Sequence, residues 1–420
     1  MKETKNLEFK SDMSNTFLKT VSAYANYGCG EILFGVDDEG NYIGVNDPKK
    51  LCLDIENKIN DNIEPRPIYR LSINNNKNVV TLTVQEGVNK PYFYKNKAYK
   101  RNDTATVEVD RLELTRLILE GKNTSFEETA SANQVLSFNT LENLLKETLG
   151  IESLTKDILT TLELYHRDHG YNKAADLLSD QNDFPGIDAV RFGENISIIH
   201  DREVFEHMSI LRQYFSIVDM YRKYYQYEEI KGSVRESKEI IPEAAFRETI
   251  ANALVHRTWD VDARVSVSMF KDRIEISSPG GLPSGISKEE YLSGGISIPR
   301  NPIIGNVFLR LRLIERFGTG VRRIIETYKD AMLKPQFLVT DNMIKVTLPV
   351  IINTGRTLSE NEKAIINILK EHGAIKMSST EISKLAELGK TSVVSLLNRL
   401  TAEGYVTKNG GGRGTTYSLK

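Results

Sequence analysis

The sequence predicts a mixed α/β protein of several domains, and three stretches carry that prediction. The first 121 residues alternate short apolar strands with an apolar-faced helix. Pro242 to Arg257 places Phe246, Ile250, Ala253, Leu254 and Val255 at helical spacing behind an early proline, which suits a helix start. Residues 357–420 read as three helices followed by two strands. With 420 residues the chain has room for about two to four domains. The pattern divides it at 1–121, 122–204, 205–352 and 357–420.

In the first segment Leu7-Glu8-Phe9-Lys10 alternates apolar and charged residues, as a half-buried strand does. A helix from Thr16 to Tyr27 presents Phe17, Val21, Tyr24 and Ala25 on one face, and Gly28-Cys29-Gly30 stops it. Glu31 to Val36 reads as a buried strand, and Asp38-Glu39-Gly40-Asn41 as a hairpin turn into Tyr42-Ile43-Gly44-Val45. Further strands are predicted at Ile68 to Ile73 and Val79 to Glu86. This order resembles the AlbA-type domain of the Schlafen family, with its E-x-x-x-x-E-F-K, A-x-A-N-x-x-G-G and G-V-D-D signatures. Glu3, Glu8-Phe9-Lys10, Ala23-Tyr24-Ala25-Asn26 and Gly35-Val36-Asp37-Asp38 meet them, while Cys29 takes one small position of the loop. The resemblance implies nucleic-acid binding. From the Schlafens that cleave RNA it also implies a metal-binding triad at Glu3, Glu8 and Asp38.

The chemistry of such a triad is coherent in itself. Carboxylates converging at a strand edge hold Mg²⁺ or Mn²⁺, and the metal generates hydroxide for phosphodiester attack with Lys10 in support. Acidic residues near a chain start are as readily just solvated, so nuclease and non-catalytic platform both stay open. Lys90 to Arg101 is the most basic aromatic stretch: Lys90, Tyr92, Lys95, Lys97, Tyr99, Lys100 and Arg101 offer charge and stacking faces to nucleic acid. The plainer alternative is a hairpin edge kept soluble by lysine.

Residues 122–204 read as a linker and a largely helical middle, with helices at Leu154 to Tyr165 and Asn172 to Asp180. Strands are expected over 186–200 and a long helix from Glu203 to Tyr227. On the helix after Pro242, Glu248, Asn252 and His256 stand at i, i+4 and i+8 and share one face. A polar strip between core residues is costly without a ligand. The stretch resembles the N-box helix of the GHKL ATPases, and more closely a "RecG-like" branch carrying R-E-x-x-x-N-A-x-x-H-R, here Arg247-Glu248, Asn252-Ala253 and His256-Arg257. Arg273 to Pro283, Ile298-Pro299-Arg300-Asn301-Pro302 and Phe317-Gly318-Thr319-Gly320-Val321 fit that branch too.

The resemblance implies a GHKL-like α/β sandwich binding ATP with Mg²⁺, Glu248 orienting the attacking water and Asn252 holding the metal. His256, Gly280, Gly281, Gly318, Thr319 and Gly320 join the cofactor set. The family's adenine-reading aspartate is absent from Ser278-Pro279-Gly280-Gly281, which puts adenine specificity in doubt. Gly318-Thr319-Gly320 opening a helix suits phosphate, and Ser284 to Asn301 has the composition of a lid. Gly389-Lys390-Thr391 mimics a P-loop end, but Lys384 stands where that motif needs glycine, so no helicase motor of that class is present.

The last segment predicts helices at Ser359 to Glu371, at Thr380 to Ala386 capped by Ser379, and at Lys390 to Glu403. Strands follow at Tyr405 to Thr407 and Thr415 to Leu419. This is the pattern of a winged helix-turn-helix. Lys390, Thr391, Ser392, Ser395 and Asn398 face outward on the recognition helix, and Arg413 tips the wing.

Composition bounds the function. Fifty-five Lys and Arg against 57 Asp and Glu leave a net charge of −2, so nucleic-acid binding must come from local patches. Two cysteines, a charged start and no bilayer-length apolar run predict a cytoplasmic protein without membrane contact. Two functions are expected: a DNA-binding transcriptional regulator with a nucleotide switch, or an Mg²⁺- or Mn²⁺-dependent endoribonuclease acting on structured RNA. A homodimer is the default assembly.

Overall fold

The fold is that of a computed structural model describing residues 2–231, 234–283, 286–294, 298–315, 318–331, 333–351, 359–372, 376–402 and 405–419. It is mixed α/β, built from several separate sheets. The chain forms two compact units, Met1–Ala132 with His166–Lys173, and Asn133–Tyr165 with Ala174–Lys420.

The first unit opens with β1 (Leu7–Lys10), α1 (Phe17–Tyr27), β2 (Gly30–Phe34), α2 (Pro48–Asn62), β3 (Ile63–Glu64), β4 (Tyr69–Asn74) and β5 (Val79–Val84). It continues with β6 (Phe93–Tyr94), β7 (Tyr99–Asn102), β8 (Ala105–Glu108) and α3 (Arg111–Gly121). The main sheet runs β1-β2-β5-β4, with β1 parallel to β2 and the other pairs antiparallel. Two expectations need correction. Tyr42 to Val45 forms no strand, only a single bridge from Val36 to Tyr42, and the fifteen-residue α2 was not foreseen. Its apolar stripe is thin (Leu51, Ile55 and Ile59) among charged residues.

Helix α1 is buried on nearly every side, which is why its serine, threonine and asparagine matter. Asn26, fully buried, donates Nδ2 to the Tyr92 carbonyl at 2.9 Å and accepts the Tyr92 N–H at 2.7 Å. Ser22 Oγ adds a bond to the same carbonyl at 2.7 Å. The asparagine of the A-x-A-N signature therefore pins the Tyr92 segment to α1 by satisfying both of its backbone groups.

The second unit starts with α4 (Asn139–Leu149) and α5 (Lys156–Thr161). The hairpin β9 (Tyr165–His166) and β10 (Gly170–Tyr171) and then α6 (Lys173–Leu178) follow in the chain. Beyond them come β11 (Ile187–Phe192), β12 (Ile199–Phe205), α7 (Ile210–Tyr225), β13 (Gln226–Lys231), β14 (Val234–Glu239) and α8 (Glu243–Val255). Next are β15 (Val265–Met269), β16 (Arg273–Pro279), α9 (Lys288–Ser293), α10 (Pro302–Arg310), α11 (Gly320–Thr327), β17 (Gln336–Val339) and β18 (Met343–Pro349).

A six-stranded sheet runs β12-β11-β15-β16-β18-β17. The boundary expected at 204/205 is thereby corrected: β11 and β12 belong to the same sheet as β15 to β18, and β12 extends through Phe205 before α7 begins. Only β11 and β15 are parallel in this sheet, and the long connection through α7 and α8 supplies the crossover that a parallel pair needs. Helix α8 packs against β16 and α7 through Phe246, Ile250 and Leu254, all fully buried, with the Tyr221 ring stacked on Phe246 at 4.5 Å.

The C-terminal segment holds α12 (Glu360–Glu371), β19 (Met377–Ser378), α13 (Ser379–Leu385), α14 (Lys390–Ala402), β20 (Val406–Asn409) and β21 (Thr416–Leu419). Its sheet runs β19-β21-β20, and its core gathers Ile365, Leu369, Ile382, Val393, Leu397, Leu400 and Tyr417. Helix α13 starts one residue early because Ser378, not Ser379, forms the capping box with Glu381. Among the described residues, no helix is long and apolar enough to cross a membrane.

Candidate functional site

Glu248, Asn252 and His256 line a cavity of about 460 Å³ beside α8. Asn252 Nδ2 donates to Glu248 Oε1 at 3.2 Å. Across from them α11 begins: Gly318 has φ +60°, and Gly318, Thr319 and Gly320 all line the cavity. A Cβ on Gly320 would lie 2.4 Å from Glu248 Oε1 and 2.8 Å from Asn252 Nδ2. Only glycine lets the amino end of α11 approach the polar strip this closely. Burial pushes the Glu248 carboxyl up, against the opposing hydrogen bond from Asn252. Partial positive charge at a helix amino end flanked by Gly318 and Gly320 suits a phosphate. None of the described lining residues is Lys or Arg, so a bound cation would have to balance much of a polyphosphate's charge.

At the other end stand Ser278, Gly280 and Gly281. Gly280 has φ +103°, and a Cβ there would meet Thr258 Oγ1 at 2.0 Å; its N–H already donates to the Asn342 carbonyl at 2.8 Å. Ser278 Oγ donates to the Ala253 carbonyl at 2.8 Å. Ser278 thus ties β16 to α8 and Gly280 ties the turn to Asn342, while both line the cavity. Sequence reasoning missed the role of Asn301, which is 2 % exposed and donates Nδ2 to the carbonyls of Val255 (2.8 Å) and Arg257 (2.9 Å). That places a side-chain cap on the last carbonyl of α8 and on the turn after it, and the P-R-N-P spelling was its signal. Asn306, Tyr291 and Glu315 also line the cavity without any motif to announce them. Arg257 is structural: it is fully buried, stacks on Trp259 at 3.9 Å and donates to the Pro185 carbonyl at 2.9 Å, and burial lowers its guanidinium to about 10. Phe317 and part of the expected lid, Ser284, Gly285 and 295–297, lie outside the described residues.

The acidic triad is corrected. Glu8 is 5 % exposed; its Oε1 pairs with Lys10 Nζ at 2.8 Å and its Oε2 with Arg101 Nη1 at 2.6 Å. Thr20 Oγ1 donates to the same Oε2 at 2.7 Å. Glu3 Oε1 accepts the Phe9 N–H at 2.8 Å, and Asp38 is exposed in the turn. Among the described residues, no group of three or more His, Cys, Asp or Glu side chains is placed to hold a metal ion. Two cations and a hydroxyl already occupy Glu8, so it is built to neutralise Arg101 in a buried setting.

The basic aromatic stretch is corrected as well. Tyr92 is 2 % and Tyr99 7 % exposed, both in the core, so they offer no stacking face. Arg101 is buried on Glu8. Lys90 bonds Glu86 and Glu120, Lys97 pairs with Glu108 at 2.7 Å, and Lys100 pairs with Glu113. Lys95 is exposed and sits 5.4 Å from the Tyr94 ring centroid. In β7 strand alternation turns Tyr99 and Arg101 inward and leaves Lys100 half-buried, while Lys95 and Lys97 stay exposed and the Lys90 side chain is only 7 % exposed. In the C-terminal segment, Lys390, Thr391, Ser392, Ser395 and Asn398 are all exposed on α14, while Val393, Leu397 and Leu400 are buried. The Arg413 side chain lies outside the described residues.

Residues 3–110 match the family described as "Schlafen, AlbA_2", and residues 262–348 match "Putative ATP-dependent DNA helicase recG C-terminal". The second match starts beyond α8, so Glu248, Asn252 and His256 enter the site on geometry alone. Among solved structures, the DIP2311 protein from Corynebacterium diphtheriae is 17% identical, with 99% of this chain and 92% of that one covered and a TM-score of 0.48. The N-terminal domain of a "Putative ATP-dependent DNA Helicase RecG-related Protein" from Nitrosomonas europaea is 25% identical over 25% of this chain and 80% of its own, with a TM-score of 0.19. No curated protein matches this sequence at a significant level. By its two family matches the chain carries a Schlafen AlbA_2 domain at 3–110 and a recG C-terminal-type domain at 262–348.

Proposed function

We propose that this protein is a nucleic-acid-binding regulator whose grip is set by a nucleotide held in the second unit. The observation that carries the reading is the cavity between α8 and α11, where a polar strip meets a helix amino end opened by Gly318 and Gly320. Its volume lies in the usual range of small-molecule pockets, about 300–1,000 Å³. The residues fit a nucleoside triphosphate with Mg²⁺: Gly318 to Gly320 would take the phosphates, and Asn252, whose Nδ2 is spent on Glu248, would hold the ion through its amide oxygen. When bound, the metal neutralises the phosphates. Glu248, at the same end, orients a water toward them. The two family names support nucleic acid as the partner, and the exposed polar face of α14 supports duplex DNA. Winged-helix recognition through α14, action in the cytoplasm and a homodimer complete the proposal. Glu8 locked between Lys10 and Arg101 favours binding over metal-dependent RNA cleavage in the first unit.

The test is thermal unfolding with ATP and Mg²⁺. A ligand at 100 times its dissociation constant stabilises by about 2.7 kcal/mol, a clear rise in melting temperature. No rise at millimolar ATP refutes the nucleotide half. A DNA affinity indifferent to ATP refutes the switch.

A further inference from the structure

We infer that His256 is the base-reading residue of this cavity, and that the site takes purine nucleoside triphosphates of both the adenine and the guanine kind. The inference rests on the nucleotide reading and deepens it. Glu248 and His256 are eight residues apart on one helix face, which at the α-helical rise separates them by about 12 Å. Gly320 packs against both Glu248 and Asn252 and marks the phosphate end, so His256 stands one to two helical turns, roughly 6–12 Å, beyond it, toward Ser278, Gly280 and Gly281.

That end holds few groups free to read a base. The Ser278 hydroxyl bonds the Ala253 carbonyl, and the Gly280 N–H bonds the Asn342 carbonyl. Apolar Ile276, Leu282, Ile344 and Val346 supply walls for a flat ring. His256 lines the same cavity. Burial, aided by nearby Arg300, holds its imidazole neutral by lowering it to about 4. A neutral imidazole carries one donor and one acceptor, and its tautomer can follow the ligand. A carboxylate in this place would accept from the adenine amino group and repel the guanine carbonyl oxygen. An imidazole serves both, accepting from the adenine N6–H or donating to guanine O6.

The experiment measures binding of ATP, GTP and inorganic tripolyphosphate, each with Mg²⁺, to the full chain and to His256→Ala and His256→Gln. Wild type should bind ATP and GTP within about tenfold of each other, since no fixed acceptor rejects guanine. His256→Ala should lose about fivefold for both nucleotides, one hydrogen bond's worth, with tripolyphosphate unchanged. His256→Gln, which keeps a donor and an acceptor, should recover most of that loss. A wild-type preference for ATP above a hundredfold overturns the inference while leaving nucleotide binding intact. Equal loss for all three ligands in His256→Ala, or no loss, also overturns it. If none of the three binds wild type, the nucleotide reading and this inference fall together.

Discussion

Replacing Arg101 by methionine tests whether Glu8 is a structural carboxylate. The substitution keeps the packing stem and removes the guanidinium, leaving Glu8, 5 % exposed, with Lys10 at 2.8 Å and Thr20 at 2.7 Å. Breaking a buried ion pair by removing one partner costs about 3–5 kcal/mol. The surviving contact to Lys10, whose side chain is 23% exposed, reduces the expectation to about 2–3 kcal/mol. The double variant Glu8→Gln with Arg101→Met removes the stranded charge, so it should be more stable than Arg101→Met alone. The one tryptophan, Trp259, sits in the other unit and does not report on this one. Hydrogen exchange at the β1 and β2 amides of the intact chain does. Arg101→Met should speed it by about 30- to 150-fold, and the double variant should regain part of the protection. Unchanged exchange, or strict additivity, would refute the pairing. Slower exchange on adding Mn²⁺ to wild type would show Glu8 open to a metal after all.

Asn301→Ala removes two hydrogen bonds from the end of α8 and should cost about 2 kcal/mol, seen as a lower melting temperature; an unchanged one would sink the cap. His256 is held neutral to about 4 when folded, so the folded chain binds fewer protons than the unfolded chain between there and the ordinary 6.5. Its contribution is therefore complete above pH 6.5 and is lost as the pH falls toward 4, and His256→Asn should flatten that part of the stability profile. A profile of the same shape in the variant would assign the fall to other groups. Deleting 357–420 should abolish site-specific duplex binding and flatten its steep salt dependence. Specific binding that survives the truncation would move the DNA contact off α14.

The sequence by itself determined the mixed α/β class, the burial pattern of α8, the outward set on α14 and the shared face of Glu248, Asn252 and His256. These rest on local periodicity, since 3.6-residue and two-residue repeats decide which side of an element faces the core. Tertiary structure decided what the polar groups face. Lys10 and Arg101, the latter 93 residues from Glu8 in sequence, turned a candidate metal ligand into half of a buried ion pair. Tyr92 and Tyr99 went inward because α1 offered Asn26 and an apolar bed to the Tyr92 segment. The strands β11 and β12 joined the sheet of β15 through a parallel pairing that no local signal encodes. Long-range pairing and charge compensation depend on which distant residues arrive together, and a one-dimensional pattern records each partner without recording the meeting.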